Sequence, residues 1–316
     1  MLDNLIFSLN ATMPIFLMMV VGYILKKIKF IDPHTTDVLN KMVFKVFLPA
    51  LLFMDLAKQD FISIWDHTFV LFCAVTTVIS IIIALLLSLL DKDKDDRGEI
   101  IQASYRSAAA TLGIAFMTNI YDNVAMVALM IIGSVPIYNI VAVLVLSLTA
   151  PRDEHAGQKG LIKKTLKNLF TNPIILSILV GLVWSVAKLP NPPIMAKSLT
   201  YLGNVASPMA LIALGAAFEF KNVKEKFWPL AMTLFNKLFL FCILFLPLAV
   251  WFGFRDEKLV AALIMLGSAT TSSSFIMAKN MGHKGNISSS AVMLTTLFSS
   301  FTLTLWLFIL RSLGYI

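Results

Sequence analysis

Seven stretches of this chain run without a formal charge: Leu5–Leu25, His67–Leu90, Asn123–Pro151, Asn168–Ala187, Ser198–Phe218, Leu259–Ala278 and Gly285–Leu310. A helix rises 1.5 Å per residue, so about 20 apolar residues cross the ~30 Å hydrocarbon layer of a bilayer. A chain that repeats such a segment seven times cannot bury them all inside a water-soluble globule. Charged residues make up 14% of the chain, against roughly 25% in a soluble domain, so there is too little polar surface to coat one. A polytopic α-helical membrane protein is expected. A soluble enzyme, a nucleic-acid binder and a secreted disulfide scaffold are excluded. Cys73 and Cys242 fall inside apolar stretches and read as buried thiols with no disulfide. The first run is too long for a signal-peptide core and lacks a basic segment before it, so it reads as a retained helix.

Three weaker spans fill the gaps, at about 39–57, 100–121 and 227–252. They carry Lys41, Lys45 and Asp55, then Arg106, then Lys237. The total is ten. Basic residues collect on the cytoplasmic side of membrane proteins. With the N-terminus outside, 20 of the 26 Lys and Arg residues fall on inner segments. Both termini are therefore expected outside the cytoplasm, in a multi-pass protein of the cell (plasma) membrane. The net charge of +8 is explained by this bias and needs no nucleic acid.

The chain also matches itself at a constant offset of 159. Pro14, Gly22, Pro33 and Pro49 recur as Pro173, Gly181, Pro192 and Pro208, and Ala110-Thr111 recurs as Ala269-Thr270. The offset is almost half the length, so two halves of five spans are expected. They are residues 1–150 and 168–316, joined by a basic cytoplasmic linker at 151–167. Five is odd, so the second half enters the membrane inverted. Inverted repeats mark secondary transporters, because two pseudo-equivalent halves can exchange conformations between inward-open and outward-open states.

In such folds the substrate sits near the midplane, where helices lose regular hydrogen bonding. The fourth and ninth spans are the candidates. The fourth contains Thr111 and Gly113. The ninth contains a run of small hydroxyl residues, Thr270, Thr271, Ser272, Ser273 and Ser274. Small residues also let helices cross closely, so packing alone is the competing reading. Asn139 in the fifth span is an amide that needs partners at depth, either as glue between helices or as a ligand contact. Arg106, read as lying near the cytoplasmic end of the fourth span, either snorkels to the interface or attracts an anion. Lys237 is too deep to snorkel; it is expected to face a cavity or a polar partner and, with Arg106, to attract the anion. Carboxylates are scarce at depth, and Asp91–Glu99 reads as a solvated turn. Cation coupling is accordingly disfavoured and an organic anion favoured. The histidines lie at helix ends or in loops, so no metal cluster and no cofactor are expected.

The order of features resembles the auxin efflux carrier (PIN-like) family in its prokaryotic form. The matching pieces are Pro14 with Gly22-Tyr23, Asn40-Lys-Met-Val-Phe44, Leu48-Pro-Ala-Leu-Leu-Phe53, Arg106-Ser107 with Gly113, Tyr138-Asn139, Phe275-Ile-Met-Ala278 and the hydroxyl-rich stretch Ser288–Ser300. The resemblance covers essentially the whole chain. It implies a sodium/proton-antiporter-like, bile-acid-symporter-like fold with broken, crossing spans four and nine. It also implies a scaffold of spans one, two, six and seven, a mobile transport domain of spans three to five and eight to ten, and a homodimer. The sequence departs from the family at Ala108, where asparagine is common, and at Ala115 and Ala269, near the usual prolines. Without proline, Gly113 and the Thr270–Ser274 run are left to permit the breaks.

The combined expectation is a membrane carrier, not an enzyme. It would move a small mono- or dicarboxylate, such as malate or malonate, or an auxin-like weak acid, by an elevator motion. A cation-coupled symporter and a channel or receptor on the same helices stay open as alternatives.

Overall fold

The computed structural model of the chain describes residues 2–58, 65–121, 125–150 and 171–316. The expected linker at 151–167 lies outside the described residues. Every described element is helical. The first half begins with α1 (Leu2–Lys27). Then comes α2 (Pro33–Met42), which continues through a π-helical turn (Val43–Phe47) into α3 (Leu48–Ala57). After these follow α4 (His67–Ser88), α5 (Arg97–Tyr105), α6 (Ala109–Tyr121) and α7 (Ala125–Thr149). The second half holds α8 (Pro173–Val186), α9 (Pro193–Ala217) and the short α10 (Phe220–Glu225). Next, α11 (Phe227–Phe235) runs through a second π turn (Asn236–Leu240) into α12 (Phe241–Trp251). The half ends with α13 (Asp256–Gly267), α14 (Ser273–Asn280) and α15 (Asn286–Ser312).

The ends are set by local chemistry. Asp32 caps α2 by accepting from the Thr35 N–H at 2.6 Å, and Pro33 occupies the first position, where no N–H is needed. Asp66 caps α4 and Asn172 caps α8 in the same way. The second span starts at Pro33, six residues before the expected 39, and α9 starts at Pro193, five before the expected 198. The first start is a polar turn containing Asp37 and the second is closed off by Lys197, so a search for uncharged stretches leaves both out.

The sequence repeat has a counterpart in packing. Gly22 of α1 faces the backbone of Ile212 in α9, so closely that a Cβ there would collide with its carbonyl. Its repeat mate, Gly181 of α8, faces Phe53 and Leu56 of α3, where a Cβ would lie 3.1 Å from the Phe53 carbonyl oxygen. Each glycine thus permits the same close approach in its own half. The α1–α9 and α3–α8 contacts, with α9 against α2 and α3, tie these helices into one group. A second group forms from α4, α5 and α7, with α11 to α15 joined to it through α5, α6 and α7. Helix α1 also runs along α15, which links the two groups.

The half-helices α5 and α13 occupy the interior. Every residue from Gly98 to Tyr105, and every residue from Leu259 to Gly267, is buried. A helix buried on all sides belongs in the centre of a large membrane bundle. Their first residues, Arg97 and Asp256, again stand 159 apart.

This corrects two readings. Asp91–Glu99 is not wholly a solvated turn: Arg97 to Glu99 form the first turn of α5, and Glu99 is 1% exposed. Its carboxylate accepts from the N–H groups of Gly285 at 2.7 Å and Ser288 at 2.8 Å, capping the start of α15. Since α5 begins at Arg97, Arg106 is not near a helix mouth. It lies nine residues further on, at the buried end of the half-helix.

Candidate functional site

Both half-helix pairs are interrupted without proline. After Tyr105, the Arg106 backbone turns extended (φ −74°, ψ 132°), and α6 starts at Ala109. After Gly267, Ser268 turns extended (φ −75°, ψ 166°), and α14 starts at Ser273. A break leaves carbonyls and N–H groups without intrahelical partners, and in a bilayer each must be satisfied by protein. Here the two breaks satisfy one another. The Ala108 N–H donates to the Ala269 carbonyl at 2.8 Å. The Thr270 hydroxyl donates to the Ala103 carbonyl of α5 at 2.8 Å, and the Ser107 hydroxyl donates to the Met265 carbonyl of α13. Gln102 of α5 donates to the Ser274 carbonyl at 2.9 Å. The Thr270 N–H is taken by Thr295 Oγ1 of α15 at 3.0 Å. The break in the fourth span therefore falls at Arg106–Ala108, not at Gly113. Gly113 is buried within α6, where a Cβ would press on Val127 and Met130 of α7.

Arg106 is 2% exposed and organises one side of the crossing. Its Nη2 donates to Asn139 Oδ1 at 2.9 Å and to Ser273 Oγ at 2.8 Å. Its Nη1 donates to Gln102 Oε1 at 3.2 Å and meets Met277 Sδ at 2.9 Å. Asn139 is held in turn by its own Nδ2, which donates to the Val135 carbonyl at 2.9 Å. The guanidinium Nε has no partner, and among the described residues no carboxylate forms an ion pair with it. A buried cation surrounded only by neutral groups is under-compensated.

Arg106 lines a cavity of about 370 Å³, within the range of small-ligand sites. On the crossing side the wall is Arg106, Ser107, Ala108, Asn139 and the stretch Thr271–Ser273. The opposite wall comes from α3, with Leu51, Asp55 and Leu56, and from Ser207 of α9. The starts of α6 and α14 both reach this space through Ala110 and Ser273. Helix N-termini carry positive partial charge, so they add to the guanidinium's attraction for an anion.

The expected site residues thus divide. Arg106, Asn139, Thr271, Ser272 and Ser273 come together around the cavity. Thr270 does not line it; its hydroxyl and N–H stitch the crossing. Ser274 is fully buried, and its carbonyl accepts from Gln102. Thr111 belongs to α6 by its backbone. Lys237 does not line the cavity either. It is 0% exposed, and its Nζ donates to the Leu266 carbonyl at 3.0 Å, the Met265 carbonyl at 3.4 Å and the Ser107 hydroxyl. Sequence reasoning gave no site role to Gln102, Ser107, Asp55 or Tyr138, which lines the cavity and donates its hydroxyl to the Met265 carbonyl at 3.4 Å. Gln102 is the only amide in the Gly98–Tyr105 stretch and could have been flagged as an intramembrane polar group. Asp55 stands two residues before the end of α3 and borders the cavity.

Comparison with known proteins agrees with this architecture. The family described as "Membrane transport protein" matches residues 7–307. An uncharacterized transporter of Methanothermobacter thermautotrophicus is 21% identical over 305 residues, covering 95% of this chain and 97% of the relative. The solved structure of the sodium proton antiporter MjNhaP1 from Methanocaldococcus jannaschii superposes with a TM-score of 0.64 at 13% identity, covering 96% of this chain and 97% of that one. That likeness shows the fold: an all-helical inverted repeat with broken, crossing helices. The match across nearly the whole length makes this chain a member of the membrane transport protein family.

Proposed function

We propose that this chain is a secondary carrier for a small organic anion, of the auxin-efflux-carrier type, and that the anion is held against Arg106. The observation that carries the reading is Arg106: it lines the cavity, its buried Nε–H has no partner, and among the described residues no carboxylate pairs with it. A mono- or dicarboxylate reaching Arg106 would supply the missing charge, and a hydrogen bond between an ionised carboxylate and a guanidinium is among the strong ones. Arg106, Asn139 and Ser273 would grip it, with Thr271 and Ser272 completing the wall.

The carrier has ten spans, arranged as two halves at 1–150 and 168–316 around a cytoplasmic linker at 151–167. Spans one, two, six and seven form a scaffold, and spans three to five and eight to ten form an elevator that carries the crossing. The packing groups described above support this division. The bias of basic residues supports outward-facing termini in the plasma membrane. In that orientation Asp55, Ile114 and Val135 lie on the outer side of the crossing, so the cavity corresponds to an outward-facing state. The scaffold serves as the surface of a homodimer.

The test is a thermal-shift screen of the purified protein against carboxylates, amino acids and indole acids, with and without sodium. A ligand that binds the folded state raises the unfolding midpoint by mass action. At least one carboxylate should raise it without sodium, and Arg106→Gln should remove the shift. A shift that survives in R106Q, or a set of carboxylates that all fail, would overturn the assignment.

Asp55 supports a second reading, in which a proton travels with the anion. Its carboxylate shares the cavity with Arg106, and it would repel a second negative charge unless protonated. Uptake would then rise as pH falls, and Asp55→Asn would flatten that dependence.

A further inference from the structure

The crossing contains a second buried cation that the anion site does not use. Lys237 lies in the π-helical turn Asn236–Leu240 between α11 and α12. A π turn inserts an extra residue into a helix and re-aims the side chains around it, and such turns concentrate at functional positions. Here Asn236, Lys237 and Leu238 are consecutive and all buried, which brings Nζ to the end of α13.

What Nζ meets there is a set of oxygens. The carbonyls of Met265 and Leu266 lie two and one residues before the last residue of α13. The chain turns extended at Ser268, so they lack the N–H partners that a continuing helix would provide. Lys237 donates to both, and to the Ser107 hydroxyl from the opposite break. An ammonium has three donors, so all three are used. No carboxylate pairs with it among the described residues.

Two freed carbonyls at a half-helix C-terminus plus a hydroxyl from a second broken helix make a donor set of the kind that coordinates a monovalent cation in broken-helix transporters. The negative end of the half-helix dipole adds to it. We infer that the Lys237 ammonium stands in permanently for an inorganic coupling cation, holding the two breaks together through Ser107. The carrier therefore cycles without sodium or potassium at this position. Lys237 is a positioning residue for the crossing, with no contact to the substrate. The inference extends the anion reading, and its test uses no anion, so the two can fail separately.

The experiment is the thermal unfolding of purified full-length protein in choline, sodium, potassium or methylammonium chloride at matched ionic strength. The wild-type midpoint should be the same in all four. Lys237→Ala empties the oxygen set. Its midpoint should fall in choline and recover by about 3 °C or more, saturably, when a small monovalent cation or methylammonium is added. A wild-type midpoint that rises with sodium or potassium over choline overturns the inference. So does a K237A protein as stable in choline as the wild type. Should K237A not fold, Lys237→Ser supplies a small hydroxyl at the same place and carries the same comparison, and the wild-type arm stands by itself.

Discussion

The Ala108 N–H donates to the Ala269 carbonyl at 2.8 Å, so the two broken helices are joined backbone to backbone at the point where each loses its own ladder. Side chains add reciprocal links, Ser107 to Met265 and Thr270 to Ala103. The crossing is thus a shared hydrogen-bond network. Ala108→Pro removes the donor and leaves the buried Ala269 carbonyl without this partner. It should destabilise the protein by about 1–3 kcal/mol, read as a lower thermal midpoint. An unchanged midpoint would mean that the bond contributes nothing.

Thr270 and Ser273 are neighbours in sequence with different jobs. Thr270→Val deletes the hydroxyl that satisfies Ala103 and should cost about 1–3 kcal/mol of stability, leaving anion affinity within about twofold. Ser273→Trp fills the cavity beside Arg106 and should abolish uptake while the protein still elutes as a folded species. If T270V lost binding and kept its stability, the division between stitch and site would be wrong.

Asn139 orients Arg106 through a single 2.9 Å bond. Asn139→Ala frees one arm of the guanidinium and should weaken anion binding about tenfold, with a smaller effect on unfolding. A charge-assisted bond of this kind contributes about 1.5–3 kcal/mol. Isothermal titration with the carboxylate found in the screen would measure it.

Glu99 joins the loop before α15 to α5 through two N–H groups. Glu99→Ala leaves both donors buried and unpaired and should cost about 2–4 kcal/mol. Glu99→Gln keeps an acceptor oxygen and should cost less. Equal losses would place the effect in packing.

Asp66 accepts from Lys258 Nζ at 2.5 Å and from the Phe69 N–H at 3.0 Å. The Lys258 hydrogen bond, followed by the Phe69 bond, holds its carboxyl below the usual carboxylate range. A lowered native value means that this stabilisation is complete above the unfolded-state pKa of roughly 4 and is lost as pH falls through the native value. The wild-type midpoint should therefore drop below about pH 4 by more than that of Asp66→Asn, which has no such carboxylate to protonate. Parallel acid profiles would remove Asp66 from the explanation.

What the sequence decided is what one-dimensional spacing encodes. Uncharged stretches long enough to cross a bilayer dictate helices, since only helices satisfy their own backbone there. The offset of 159 dictates two equivalent halves, and Gly22 and Gly181 meet equivalent neighbours because the repeat is a repeat of packing. The small hydroxyl run at Thr270–Ser274 marked the ninth-span break because such residues can supply the hydrogen bonds that a broken helix lacks. What only the tertiary structure decided is which polar groups meet. Arg106 proved central because α5 starts at a charged turn that a hydropathy reading discards. Thr270 turned out to stitch the crossing, with Ser273 as the wall of the cavity, because a broken helix faces its neighbours through geometry that no periodicity records. Lys237 and Ser107 are 130 residues apart, and nothing in either local sequence announces the other. Their meeting is fixed by the crossing of two half-helices, whose unpaired backbone groups must find partners wherever the fold brings them.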